Sequence, residues 1–567
     1  MIRMFKYLMY VLEKEEKNLW KILSVFSLIS PVMDIFGFSV IVFIINTVTR
    51  EKQASAELIL FTFFMSVISI LKGFFELYRC KIYNRFLYEG SQKLSMKIYE
   101  VLIKEDLIFH NQKNMMQALS MIRSDTESCI GIVITCIETG ANVLTMSGYF
   151  ILTIFAGKWI GIVSCILILL LMIGMFIRYR VRMNDYGEKS RIYSIKSNAQ
   201  ISIAFGTFKE IKLINNSDAM LRKYKEVSQK YAHIQGEYKF HSSVISMLMQ
   251  NSVMAIIFIM LVFFLWNPEE NLIYILSTTI YIAVLTKMIP LAYSIVSGLN
   301  GIEFARKPYE VIKECLGRYE EIKEKERITK SARHKKIILQ KGIYVRNLSF
   351  CYNDRIQIFI KASMDIPVGH SVAVIGVSGV GKTTFLDLVI GLLKPQEGSI
   401  FYDDYDIIAQ TDSQGKCEAN IGEIVSYIPQ VVYLNGETIR RNIAFFENEE
   451  KIDDNKVIEC LKCAQIWDDV ARMPEGIDTL IDENATIVSG GQRQRLGLAR
   501  ALYRDFELLV MDEATAALDM ETEKAVIDSI RQVKKNKTIL MVTHHMSLAN
   551  ECDIIYKIEN QGFVRIK

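Results

Sequence analysis

Residues 376–383 read Gly-Val-Ser-Gly-Val-Gly-Lys-Thr, a G-x-x-x-x-G-K-T run set between the strand-like SVAVI and the helix-like TTFLDLVIGLL. This is the chemistry of phosphate capture. Gly376, Gly379 and Gly381 let successive backbone N–H groups, with Ser378 among them, wrap an anion, and the start of the following helix adds its positive end. In that pattern Lys382 reaches the β- and γ-phosphates and the Thr383 hydroxyl ligates Mg²⁺, with Thr384 beside it in the first helical turn.

A second apolar segment, ELLVM, runs straight into Asp512 and Glu513. An aspartate at the carboxyl end of a buried strand is placed to hold Mg²⁺, and the neighbouring Glu513 is the candidate to polarise an attacking water. Between the two motifs stands Val488-Ser-Gly-Gly-Gln492, ahead of RQRLGLARAL. Ser489, Gly490, Gly491 and Gln492 at a helix start form another anion-binding nest. One nucleotide does not need two such loops. The spacing therefore points to a loop that serves the nucleotide of a second copy of the domain.

These motifs all lie in the last third of 567 residues, and what precedes them is different in kind. Hydrophobic residues make up 51% of the chain, charged residues only 23%, and mean hydropathy is +0.20, which excludes a disordered or fibrous chain. The net charge of +4 leaves no nucleic-acid footprint, so no nucleic-acid partner is expected. Six apolar runs, near 19–48, 58–78, 129–156, 159–177, 244–266 and 272–296, each approach or exceed the ~20 residues that cross a bilayer as a helix. The first run is too long for a signal-peptide core and is expected to be retained, and the residues before it form an amphipathic surface helix.

Short and long connections alternate between the runs. The two long ones carry eight and thirteen Lys or Arg, which places them and both termini in the cytoplasm of an integral, inner-membrane protein. Their helical pattern predicts membrane helices that continue well beyond the bilayer. The domain reading is a six-helix membrane domain over 1–317, a charged linker over 318–337 and an α/β P-loop ATPase domain over 338–567. Cys460 and Cys463 form a C-x-x-C, but without a second ligand pair nearby they are expected to be two small apolar positions on one helix.

VSGGQRQRLGLARAL resembles the signature motif of ATP-binding-cassette (ABC) proteins, whose commonest form has Leu where Val488 stands. The resemblance continues in order along the domain. It implies that Tyr352 stacks on adenine, that Gln430 senses Mg²⁺ and the membrane domain, that Asp519 links two sites, and that His544 contacts the γ-phosphate. Two departures are His545, where Arg is frequent, and the stretch IDENATI before the signature, where Glu483 stands as a candidate contact to the membrane domain. The region ahead of the cassette is similar to exporter-type membrane domains in its topology. The resemblance thus implies a half-transporter of the ABC exporter type, with ATP and Mg²⁺ as cofactors.

Asp34, Lys72, Glu76, Glu138 and Lys287 interrupt the apolar runs. A charge at the centre of a bilayer costs at least ~2.5–3.5 kcal/mol on insertion scales, so each needs a cavity or a partner. Substrate contact and structural pairing remain open for Asp34, Glu138 and Lys287, whereas Lys72 and Glu76 read as positions already near the cytoplasmic interface. The expected function is ATP-driven export or flipping of an amphipathic peptide or lipid-linked molecule by alternating access. The alternatives are a lipid-linked oligosaccharide flippase and a membrane-anchored regulatory ATPase that transports nothing. Because neither nucleotide-site half looks degraded, a homodimer is expected ahead of a heterodimer.

Overall fold

The structure is a computed structural model. It describes the chain apart from residues 1, 52–55, 109–113, 267–271, 332–337, 354–355, 410, 413–420, 483–486, 514–519 and 534–536. Contacts divide it into two compact units, Met1–Glu105 with Phe109–Lys323, and Asp106–Ile108 with Glu324–Lys567.

The first unit is helical: α1 (Ile2–Val11), α2 (Lys14–Glu51), α3 (Ala56–Lys104), α4 (Thr126–Gly206), α5 (Ser217–Trp266), α6 (Leu272–Phe304) and α7 (Arg306–Ser331). Six helical stretches are long and apolar enough to cross a membrane: Lys14–Ile44, Leu58–Lys104, Met115–Ile154, Gly161–Gly206, Ser217–Ile259 and Ile280–Phe304. They match the six runs of the sequence. The 49 residues of α3 span about 74 Å at 1.5 Å per residue, more than twice the ~30 Å of a hydrocarbon core. Its apolar side chains, Phe63, Phe64, Ile70, Leu71 and Phe74 among them, are exposed, as a lipid-facing helix requires.

Although α4 is helical over 81 residues, it is a hairpin rather than a rod. Arg191 donates to both carboxylate oxygens of Asp125 at 3.1 and 2.9 Å, whereas 66 residues of straight helix would separate them by about 100 Å. The chain reverses between Thr153 and Gly161. A Cβ on Gly161 would stand 2.3 Å from the Thr153 carbonyl oxygen, so only glycine fits there. The buried carboxylate of Glu303 on α6 accepts from Arg180 at 3.0 Å and ties the second arm to α6. One apolar core gathers Leu8, Phe86, Ile98, Val133 and Ile312 from α1, α3, the first arm of α4 and α7, and another gathers Ile168, Met249, Val284 and Met288 from the second arm, α5 and α6.

The charged stretch read as a linker continues α7 as far as Ser331, and 332–337 lie outside the described residues. Lys and Glu spaced along it suit a solvated helix as well as a loop.

The second unit holds two sheets. One is antiparallel, in the order β2 (Ile356–Pro367), β1 (Gly342–Asn353), β4 (Glu397–Tyr402), β5 (Tyr405–Asp406), β6 (Thr411–Asp412). The other runs β11 (Gly562–Arg565), β10 (Ile554–Glu559), β3 (Ser371–Ile375), β9 (Thr538–Val542), β8 (Leu508–Asp512), β7 (Val425–Ile428), and is parallel from β10 to β7. Strands β3, β8 and β9 are buried at every residue, which is why they read as unbroken apolar runs. Alternate residues serve two cores. Val372, Val374, Val510 and Leu540 pack with Phe359 and the helix α8 (Lys382–Val389). Ala373, Ile375, Leu509 and Met541 pack with α9 (Asp454–Cys463) and α10 (Gly490–Tyr503). Cys460 and Cys463 are buried in that second core, as expected of apolar helix positions.

Candidate nucleotide site

Parallel strands place their carboxyl ends along one edge, and four neighbours there, β3, β9, β8 and β7, each deliver a motif residue. The loop after β3 turns through Gly379 and Gly381 with φ of 79° and 105°. A Cβ on Gly381 would stand 2.3 Å from Cγ2 of Ile358, so both the backbone angle and the available space exclude a side chain. Gly381 caps α8, Lys382 is its first residue, and Ser378 is exposed at the tip of the loop. The buried Lys382 ammonium folds back over its own loop, donating to the carbonyls of Gly376 at 3.0 Å and Val377 at 3.3 Å.

Strand β8 ends in Asp512, which is buried and accepts from the Thr383 hydroxyl at 3.2 Å. Glu513 follows in the left-handed region at φ 48°, a conformation uncommon for a non-glycine residue, with its N–H still donating to Val542 at 3.0 Å. The Glu513 carboxylate is the hub of the site. Gln430, just past β7, donates to it at 2.9 Å, the Lys382 ammonium lies 3.5 Å away, and Nδ1 of His544, just past β9, lies 3.6 Å away. Tyr352 on β1 is about half exposed, and its hydroxyl meets that of Thr384 at 3.1 Å.

The sequence reading missed two groups beside Asp512. Asp387, one helical turn after Thr383 on α8, is buried, and burial together with the Asp512 charge pushes its carboxyl up to about 6. Tyr427 on β7 is pushed up by burial, then by Asp512 and Asp387. Burial also raises Asp512 itself, against the opposing pull of the Thr383 hydroxyl, the Tyr427 hydroxyl and the Lys382 charge. The i, i+4 spacing of Thr383 and Asp387 was the available signal, since it puts both on one helix face.

Ser489 caps α10 in a reciprocal box: its hydroxyl accepts from the Gln492 N–H at 3.2 Å, and the Gln492 side chain accepts from the Ser489 N–H at 2.8 Å. Ser489 and Gly490 are exposed, with Gly491 in the same first turn. Among the described residues, no hydrogen bond or ion pair joins this loop to Lys382, Thr383, Asp512 or Glu513. Asp519 and Glu483 lie outside the described residues.

The chemistry suits a nucleoside triphosphate with Mg²⁺. A glycine cradle precedes a buried ammonium, and two hard oxygen donors, on Thr383 and Asp512, stand side by side. The family model described as ABC transporter matches residues 359–516, the stretch from β2 through the P-loop and signature to just past Glu513.

Residues 359–516 are an ABC transporter ATPase domain.

The likeness extends well beyond the cassette. The chain is 28% identical over 482 residues to the ATP-dependent lipid A-core flippase of Pectobacterium atrosepticum, covering 82% of this chain and 78% of that one. It is 26% identical over 460 residues to the protein of the same description from Salmonella typhimurium, covering 80% and 75%. In fold, it superposes on a bacterial Atm1-family ABC exporter solved with ATP bound, with a TM-score of 0.78 at 18% identity, over 97% of this chain and 94% of that one. Membrane helices and ATPase domain are thus fused in one chain, and ATP hydrolysis is coupled to transport.

Proposed function

We propose that this exporter flips a lipid-anchored, anionic amphipathic molecule out of the cytoplasmic leaflet of the inner membrane, as a homodimer with two composite ATP sites. The observation that carries the substrate class is a cavity of about 370 Å³ among the membrane helices, where Lys72 and Lys287 face Asp34 and the hydroxyls of Thr62, Ser66 and Ser69. Lys72 pairs with Asp34, and Glu76 lies 3.6 Å from Lys72. Lys287 has no ion-pair partner among the described residues. An uncompensated ammonium at membrane depth calls for an anion, and a lipid-linked phosphate or sugar acid supplies one on an apolar anchor. The relatives to which the chain is similar are described as lipid A-core flippases, which supports a lipid-anchored cargo.

In the ATP site, Glu513 takes the role of general base for the water that attacks the γ-phosphorus, while the bond to the β–γ bridging oxygen breaks. Gln430 and His544 hold the Glu513 carboxylate from either side, and His544 is placed to meet the γ-phosphate. Lys382 supplies the counter-charge to the phosphates, and Tyr352 offers its exposed ring to the base. Thr383 and Asp512, with Gln430 as a further ligand from beside Glu513, would hold Mg²⁺, which when bound neutralises charge on the phosphate oxygens. Ser489, Gly490, Gly491 and Gln492, separate from this site within one chain, complete the site of the second copy.

The deciding experiment reconstitutes the purified chain in vesicles. It measures ATPase stimulation and leaflet movement against a panel of lipid-linked glycans, lipids and peptides. Stimulation and movement confined to anionic lipid-linked species, and weakened by Lys287→Gln, are expected. Movement of peptides alone would replace the substrate class, and ATP turnover indifferent to every species would favour the regulatory ATPase.

A further inference from the structure

A second cavity, of about 580 Å³, lies where α1 meets α2 and the first arm of α4, and it shares no lining residue with the one above. Its size is that of a ligand site rather than a packing defect. The N-terminal helix that closes it is firmly seated. Leu8 and Leu12 are buried in the core beneath, and the Phe5 ring lies 6.2 Å from that of Trp20. Leu28, Ile137, Gly140, Ala141 and Leu144 make an apolar wall, and α2 and α4 are membrane-spanning here.

The polar groups that line the cavity are biased toward donation. Nε1 of Trp20, which can only donate, and Oγ of Ser24 are both buried and have no partner among the described residues. Lys6 stands exposed on the α1 side, and no carboxylate among the described residues lines the space. An adjoining cavity of about 170 Å³ shares Ser27 and Ile137 with it and holds Glu138 together with Arg79, whose Nε is likewise buried without an acceptor. Buried donors left unsatisfied cost roughly 1–3 kcal/mol each, so a site that keeps several is built for acceptor oxygens from elsewhere.

A molecule that satisfies this lining is mostly hydrocarbon and presents ester or phosphate oxygens with a negative charge. The surrounding bilayer supplies that chemistry. We propose that the cavity holds one anionic glycerophospholipid per chain, with an acyl chain along Leu28, Ile137, Gly140, Ala141 and Leu144 and its phosphate and ester oxygens at Lys6, Trp20 and Ser24. This resident lipid locks α1 against α2 and α4, and it is separate from the cargo.

The test uses full-length protein in mild detergent without ATP, so its outcome is independent of the transport reading. Native mass spectrometry counts phosphatidylglycerol or phosphatidylcholine retained after each is added to delipidated protein. The wild type should retain phosphatidylglycerol in preference to phosphatidylcholine. Gly140→Leu fills the cavity from a position where an added Cβ meets nothing within 4 Å, and it should abolish retention. Lys6→Gln, at an exposed position that does not threaten folding, should reduce the preference for phosphatidylglycerol about fivefold. Retention by Gly140→Leu equal to wild type, or an unchanged lipid preference in Lys6→Gln, overturns the assignment.

Discussion

Replacing Glu513 with Gln separates nucleotide binding from hydrolysis, because the amide keeps the shape of the carboxylate while removing its charge. The left-handed backbone at φ 48° is equally demanding for both residues, so the fold is retained. Gln430 can still donate to the remaining carbonyl oxygen of the amide across the present 2.9 Å contact. Two things change. A primary amide cannot accept the proton of the attacking water, and loss of a positioned general base lowers turnover by roughly 10²–10⁴-fold. The Lys382 ammonium, 3.5 Å from the carboxylate, is also released from a competing anion. Two unit charges at that separation interact by about 1 kcal/mol even under water-like screening, so ATP affinity should rise about fivefold or more. Phosphate release and equilibrium binding of a fluorescent ATP analogue read the two effects on one preparation. Turnover within threefold of wild type would remove Glu513 as the base, and binding weakened tenfold would refute the electrostatic account of the site.

Lys382→Ala should abolish hydrolysis and weaken ATP binding, since the phosphates lose their buried counter-charge; near-normal turnover would refute its role. Asp387, held up at about 6 against an ordinary 3.8, binds its proton more tightly folded than unfolded, so its ionisation removes stability as pH rises from about 4 to about 6. Asp387→Asn should therefore raise the nucleotide-free thermal midpoint at neutral pH, with the gap from wild type closing as pH falls from about 6 to about 4; a gap independent of pH would refute this. Mixing Lys382→Ala chains with Ser489→Arg chains should restore partial ATPase activity, because one site of the mixed dimer is free of both lesions. Mixed dimers without activity would count against sites completed in trans.

The legible part of the candidate site was the part written in local runs. The glycine loop and Lys382 are contiguous, Asp512 and Glu513 are adjacent after a strand, and Ser489–Gln492 opens a helix, so each could be recognised from its immediate neighbours. The six membrane spans were legible for the same reason, as was the burial of Cys460 and Cys463 on one helix face. Asp387 and Tyr427 were missed because neither is a residue of a contiguous motif, although Asp387 shares a helix face with Thr383. They matter only through their proximity to Asp512, which depends on α8 and β7 flanking β8. The Asp34–Lys72 pair was likewise hidden in a list of separate charges, and it formed only when α2 and α3 packed together.

By itself, then, the sequence determined the kind of molecule: apolar runs long enough to span a bilayer, connections rich in Lys and Arg between them, and a phosphate-binding motif placed between a strand and a helix. Those properties follow from hydrophobicity, local turn geometry and helix ends, all of which act over a few residues. Tertiary structure decided which strands became neighbours, and so which groups meet at Glu513. The order β3, β9, β8, β7 brings residues from 376 to 544 to one edge through parallel pairing, a long-range choice that no local pattern encodes. It also decided that α4 doubles back, so that Arg191 neutralises Asp125, and that α1 seats against α2 and α4 around a cavity. Those arrangements arise from packing of whole surfaces against one another, where burial and charge pairing across distant segments outweigh the preferences of any single stretch.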